Sequence, residues 1–307
     1  AMPELLAGAI QDCLPHSDKP VLAYVSPHAP EIGALLTQRG VLAFAAAESC
    51  TAALAGMLRV NGFQGAPSEL VVGKHTLQEL DLPVGCLDEA QAKAVFRRFG
   101  VPCAAERVVH TAEEAEAAAR ELGGRVVLKI LSSRITHKSD VGGVAVGLTT
   151  QTIGARLGAM VADVQARAGV RPDRFLVQQM VAGGTELILG LHKDALGTAV
   201  MLGMGGVAAE LFQDTTLRLL PDDGTQLGVL SRSEALDMAR ELKTWPLLDG
   251  FRGRPKADVD ALADAIVAFS AMAAQLGDRV IEAEINPVFV LPQGQGVCAA
   301  DGVLVLA

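Results

Sequence analysis

At 307 residues, half of them apolar, the chain is too long for one ordinary domain and holds enough core-forming side chains for two or three compact units. This excludes a disordered or fibrous polypeptide. A formal net charge of −9, with no run of lysines or arginines, excludes the basic stripe that phosphate backbones attract, so nucleic acid is not expected as a partner.

No uninterrupted apolar segment reaches the roughly 18 to 20 residues that cross a bilayer, and the N-terminus lacks the three sections of a signal peptide. No membrane contact and a cytoplasmic location are therefore expected. Cys13, Cys50, Cys86, Cys103 and Cys298 are odd in number and never at CxxC spacing, which indicates neither a disulfide framework nor a zinc site.

Ala1-Met2 reads as an added remnant. After it, VLAYVS (21–26) predicts a buried strand, EIGALLTQRG (31–40) a helix closing on glycine, VLAFAA (41–46) a second strand, and SCTAALAGMLRV (49–60) a helix capped by Ser49. This βαβα order predicts a parallel sheet. Residues 61–76 have no clear period and read as a linker.

From Cys86 the pattern resumes with two amphipathic helices, 87–100 and 111–123, each ended by glycine. AERVVH and RVVLKI are short β-branched runs. VAVGLTT predicts a strand, TIGARLGAMVADVQARAG a long helix, RFLVQQMV and TELILGLHKD two strands, and GTAVMLGMGG a further run ending in glycines. Helices over RSEALDMARELK and VDALADAIVAFSAMAAQLG precede the strands VIEAEINPVFVL and GVCAADGVLVLA. Strand pairs separated by helices without strict βαβ regularity predict an α+β region, so the fold class combines α/β and α+β parts.

Lys129 sits within the apolar run RVVLKI, where an ammonium needs water or an anion. It either snorkels from a strand end or points into a cleft to meet phosphate. Eight residues on, ITHKSDVGG (135–143) sets His137, Lys138, Ser139 and Asp140 before Gly142 and Gly143. Paired glycines let a backbone approach an anion, and serine or lysine adds donors. By itself the loop reads first as a polar β-turn joining strands 126–130 and 144–149, and it is not a Walker A motif. A histidine there can be a base, a ligand or a phosphoryl acceptor.

In IEAEINPVFV, alternation places Glu282, Glu284 and Asn286 on one strand face. Oxygen ligands of this kind suit Mg²⁺, and Asp301 on the next strand could complete the set. VQQMVAGGTELILG could be a hinge whose backbone reads an adenine edge. GMGGVAAELFQDTTLRLLP, with Gly203, Gly205, Gly206, Glu210 and Arg218, lacks dinucleotide-fingerprint spacing.

Together VVLKILSSRITHKSDVGGVAVGL, VQQMVAGGTELILGLHKD, GTAVMLGMGGVAAELFQDTTLRLLP, WPLLDGFRG and EINPVFV…AADGVLVL resemble, in family order, the NDP-forming (ADP-forming) acyl-CoA synthetases, relatives of succinyl-CoA synthetase. The resemblance implies a two-lobed ATP-grasp domain over 85–307, a small, flavodoxin-like parallel-sheet domain over 1–62, and a linker over 63–84. It implies a carbon–sulfur ligase in which ATP and Mg²⁺ phosphorylate a histidine, the phosphoryl group passes to a carboxylate, and CoA displaces it.

On these positions the resemblance makes His137 the phosphoryl acceptor, Glu284 the glutamate that steadies it, and Lys129 the phosphate-binding lysine. Ser139, Gly142 and Gly143 form the phosphate loop, Gln179, Met180 and Val181 the adenine hinge, and Glu186 a further nucleotide-site position. Asn286 and Asp301 match Mg²⁺ ligands. The CoA-binding domains of the complete machine are not seen, so CoA and the acyl substrate are expected through missing domains, in a longer fused chain or a homo- or hetero-oligomer. Two other readings are a ligand-sensing region of a fused protein acetyltransferase and an ATP-grasp carboxylate ligase without phosphohistidine.

Overall fold

The computed structural model describes residues 2–13, 19–26, 29–62, 82–132, 135, 138–194, 197–206, 214–222 and 227–307. His137, Glu210 and most of the expected linker lie outside the described residues. The chain divides into two compact units, Ala1–Pro67 and Ser68–Ala307.

In the first unit, helix α1 (Met2–Cys13) precedes β1 (Leu22–Tyr24), α2 (Pro30–Gln38), β2 (Leu42–Phe44) and α3 (Ala47–Gly62). β1 and β2 pair in parallel with Leu22 opposite Leu42, as the βαβα order requires. A small core gathers Ala7, Leu36 and Val41 with Ile10, Ala23 and Ile32 around them. The predicted Ser49 cap is corrected: α3 starts at Ala47, which places Ser49 inside the helix, and Glu48 supplies the acidic first turn that a helix N-terminus favours.

The second unit holds two antiparallel sheets with separate cores. The smaller has the order β4 (Glu106–Val109), β7 (Phe175–Gln179), β5 (Val126–Ile130), β6 (Val144–Leu148). Helices α5 (Ala112–Leu122) and α6 (Ile153–Ala168) cover one face, burying Val126, Leu128, Ile130, Phe175 and Val177 against Ala115, Met160 and Val164. Side chains alternate along a strand, so Lys129, Leu176 and Gln178 are turned from that helix-covered core.

The larger sheet has the order β10 (Thr215–Leu219), β9 (Gly197–Met204), β8 (Thr185–Asp194), β11 (Val280–Val290), β13 (Gly302–Leu306), β3 (Gly85–Cys86), with β12 (Val297–Ala299) paired to β11. Helix α4 (Glu89–Arg98), α7 (Arg232–Glu241), the short α8 (Trp245–Leu248) and α9 (Val259–Leu276) pack on it. The expected single terminal strand over 296–307 is two strands, because the chain breaks at Ala300-Asp301 and offers those groups to the neighbouring sheet. Asp301 is therefore in the connection before β13 rather than on a strand.

Among the described residues, one helical segment, Val259–Arg279, is long and apolar enough to cross a membrane by length and composition, but it is not an uninterrupted apolar run. Asp260 and Asp264 interrupt it, and Leu262, Ile266, Phe269 and Ala273 are buried in the core of the larger sheet, each large side chain contributing ~1.5–3 kcal/mol of apolar burial.

Candidate functional site

Helix α4 brings the first component. Asp88 caps it in a reciprocal box with Gln91, which places Glu89 at the first helical position, where the helix dipole favours a carboxylate. Glu89 is buried, its side chain 2% exposed, and one turn on Lys93 is fully buried, its Nζ 2.7 Å from Glu89 Oε1. Lys93 also lies 2.5 Å from Glu106 Oε2 on β4, and Arg97 contacts the other oxygen of Glu106 at 2.8 Å.

The smaller sheet brings the second. Lys129 does not snorkel to solvent: Nζ donates to Glu89 Oε1 at 2.7 Å, to the Ala300 carbonyl at 2.8 Å and to Asp301 Oδ2 at 3.2 Å. Its neighbour on the same face, Gln178, donates to the Ala300 carbonyl at 2.9 Å and accepts from Lys93 at 3.4 Å.

The turn after His137 brings the third. Lys138 pairs with Glu89 Oε2 and lies 3.5 Å from Asp301 Oδ1. The turn closes on itself, Gly142 N donating to Ser139 O at 3.1 Å and Gly143 N to Lys138 O at 2.7 Å. Both glycine amides are thus engaged inside the turn, and what the loop extends toward the cluster is Lys138. Gly143 is required sterically, since an added Cβ would stand 2.7 Å from Ile130 Cδ1 and 2.9 Å from Lys138 O.

On the larger sheet, Glu284 and Asn286 share the accessible face of β11, and Asn286 Nδ2 donates to Glu284 Oε1 at 3.1 Å. The backbone amide of Asn286 donates to Asp301 O at 3.3 Å, so these three expected residues adjoin. The pairing register shifts between Ile285 and Val288, which ends the simple alternation just beyond them. Asp301 is further held by Gly302 N on Oδ1 at 2.8 Å.

The charges respond to burial and to one another. Burial alone would push Glu89 up, but Lys129, Lys93 and Lys138 together hold it well below the usual carboxylate range. Burial raises Asp301, and Glu89 reinforces this against the opposing lysines. Burial would lower Lys138 and Lys93, yet their acidic partners, Glu89 foremost, leave both raised.

The remaining expected positions lie elsewhere in this unit. Gln179 and Met180 donate their amides to Ala105 O at 2.8 Å and Arg125 O at 3.1 Å. Glu186 lies on β8 with its carbonyl accepting from Gly205 N at 2.8 Å, and a Cβ added at Gly206 would meet its carboxylate at 2.9 Å. Sequence reasoning missed Glu89, Lys93 and Gln178. Their only signal was an Asp-x-x-Gln capping box with an i,i+4 Glu–Lys pair, a pattern that usually marks a solvated helix face.

Two antiparallel sheets, with Lys129 on one and Glu284 and Asn286 on the other meeting around Asp301, form a mixed α/β fold with its charged groups gathered between the sheets. The family model for the ATP-grasp domain matches residues 80–306. The acetate–CoA ligase (ADP-forming) II subunit beta of Pyrococcus furiosus is 32% identical over 224 residues, 71% of this chain and 90% of that protein. Acetate–CoA ligase (ADP-forming) I of Archaeoglobus fulgidus is 35% identical over 210 residues, 68% of this chain but only 29% of that longer protein. A solved structure of Ca. Korarchaeum cryptofilum dinucleotide-forming acetyl-coenzyme A synthetase 1, with coenzyme A and Mg-AMPPCP and its phosphohistidine segment pointing towards the nucleotide-binding site, is 34% identical. It covers 73% of this chain and 93% of its own, with a TM-score of 0.60. The chain belongs to the ATP-grasp family, in the group of ADP-forming acyl-CoA synthetases whose β subunits it matches over most of their length.

Proposed function

We propose that this chain is the nucleotide-binding, histidine-phosphorylating part of an NDP-forming acyl-CoA synthetase: acid, CoA and ATP give acyl-CoA, ADP and phosphate. The observation that carries this reading is the convergence of Lys129 and Lys138 on Asp301 beside Asn286 and Glu284, directly after His137 in the chain. Such a group neutralises polyphosphate charge while a nucleophile is positioned, which is most of what phosphoryl transfer needs.

In this reading the ammonium groups of Lys129 and Lys138 bind phosphate oxygens. A ring nitrogen of His137 attacks the terminal phosphorus, the bond to the bridging oxygen breaks, and ADP leaves with that oxygen's electron pair. Glu284 steadies the phosphorylated imidazole. The oxygen donors of Asn286 and Asp301 fit Mg²⁺, which favours hard oxygen ligands and shares them with phosphate; when bound it would neutralise part of the phosphate charge. The Gln179–Val181 backbone and Glu186 would complete the nucleotide pocket, with Ser139, Gly142 and Gly143 shaping its loop.

The phosphoryl group would then pass to a carboxylate and CoA would displace it, on CoA-binding domains supplied by a longer chain or by a partner subunit in a homo- or hetero-oligomer. Residues 1–62 would be a flavodoxin-like domain of that machinery, 63–84 a linker and 85–307 the two-lobed ATP-grasp domain, in a cytoplasmic enzyme. The test is incubation with γ-labelled ATP and Mg²⁺. Acid-labile, base-stable label is expected on the wild type and not on His137→Ala; equal labelling of both overturns the assignment.

A further inference from the structure

Three ammonium groups meet one carboxylate. Lys93 and Lys129 share Glu89 Oε1, each at 2.7 Å, and Lys138 takes Oε2. Lys93 has a second anion in Glu106, and it is fully buried, out of reach of any ligand. Among the described residues, the anions that Lys129 and Lys138 meet are Glu89 and the more accessible Asp301, whose side chain is 29% exposed. Among the described groups, three positive charges (Lys93, Lys129, Lys138) face three negative ones (Glu89, Asp301, Glu106), with Arg97 on the far side of Glu106. The lysine pair is therefore already compensated without a ligand.

A polyphosphate brings several negative charges to lysines that a fixed carboxylate already occupies. Buried ammonium groups without a counter-ion are costly, so some anion must stand there between ligands, and the same anion then competes with the ligand for the same donors. We infer that Glu89 is a resident counter-anion, a positioning residue that holds Lys129 and Lys138 aligned and against which an incoming polyphosphate competes. Lys93, clamped between Glu89, Glu106 and the Ala300 carbonyl, fixes Glu89 in that role. This inference rests on the reading of Lys129 as a phosphate ligand and adds to it a built-in competitor.

The experiment measures pyrophosphate binding by calorimetry and by thermal shift for the wild type, Glu89→Gln and Lys129→Met. Glu89→Gln should melt lower than the wild type without anion, bind pyrophosphate about tenfold more tightly, and gain more in melting temperature on adding it. A residue with a merely structural role would lose affinity on replacement, so equal or weaker binding by Glu89→Gln overturns the inference. Should that variant not fold, Glu89→Asp retains the charge but withdraws it by one methylene and should show a smaller gain of the same sign; no gain overturns the inference equally. Lys129→Met separates the two readings. If it binds pyrophosphate as the wild type does, the phosphate-ligand reading fails; if it loses binding while Glu89→Gln gains none, only the counter-anion inference fails.

Discussion

The side-chain amide of Gln178 donates to the main-chain carbonyl of Ala300 at 2.9 Å, across 122 positions of sequence, and ties the smaller sheet to the turn that carries Asp301. The same carbonyl accepts from Lys129 at 2.8 Å and from Lys93 at 3.4 Å. A single peptide oxygen thus holds three donors from three elements, β7, β5 and α4, and the bond from Gln178 is the only one of the three from an uncharged group.

Gln178→Leu keeps the volume and removes this amide, while Ala300 O retains Lys129. The expected loss is about 1–2 kcal/mol of unfolding free energy. Urea denaturation should show a lowered midpoint with an unchanged slope; a wild-type midpoint would mean that the two sheets are held together elsewhere.

Gly143→Ala introduces a methyl group 2.7 Å from Ile130 Cδ1 and 2.9 Å from the Lys138 carbonyl. Ile130 is a packed core side chain and the carbonyl is backbone, so the turn must move. Overpacking of this kind costs about 1–3 kcal/mol. Because the turn also carries Lys138, pyrophosphate binding should weaken along with the melting temperature, whereas Gly158→Ala inside α6, where an added Cβ meets nothing within 4 Å, should leave binding unchanged and raise the melting temperature slightly, since alanine is favoured over glycine in a helix by about 0.5–1 kcal/mol.

Asp214, buried just before β10, accepts from the turn before α8: from Lys243 N at 2.8 Å, Thr244 N at 2.8 Å and Thr244 Oγ1 at 2.5 Å. Burial opposes its ionisation, but these hydrogen bonds prevail and lower its pKa. A folded-state value below the unfolded one of about 3.9 adds stability that is fully present above that pH and is lost as pH falls through the folded value. Asp214→Asn should cost about 1–3 kcal/mol at neutral pH, and the gap to the wild type should close below about pH 4. A gap of constant size from pH 7 to pH 3 would contradict this origin.

Burial pushes the Cys103 thiol up to about 12, whereas Cys86 is exposed. Thiolate is the reacting form, so brief treatment of the native protein with iodoacetamide near pH 8 should modify Cys86 and leave Cys103 untouched. Peptide mass spectrometry would show it, and denaturant should abolish the difference.

Much of the site could be read from particular residues. A lysine inside RVVLKI, and carboxylate, carboxylate and amide at alternate places of IEAEIN, each violate the apolar pattern around them, and unfavourable burial is visible wherever it breaks a local period. The parallel pairing of β1 and β2 followed from the strand–helix order. Ser49, by contrast, was misplaced as a cap, since helix starts depend on geometry two or three residues wide. Glu89 and Lys93 were legible only as an i,i+4 pair, because nothing local distinguishes a solvated pair from one enclosed by a second sheet.

What the sequence by itself determined is therefore what short-range physics encodes: the periods of the strands and helices, their caps, the polar residues out of place in apolar runs, and the order of motifs that marks the ATP-grasp group. Only the tertiary structure decided that Lys93, Lys129 and Lys138, from a helix, a strand and a turn, converge on the single carboxylate of Glu89. Coulombic energy depends on distance in space, and a separation of 40 residues between Glu89 and Lys129 becomes a contact only when two sheets close around it.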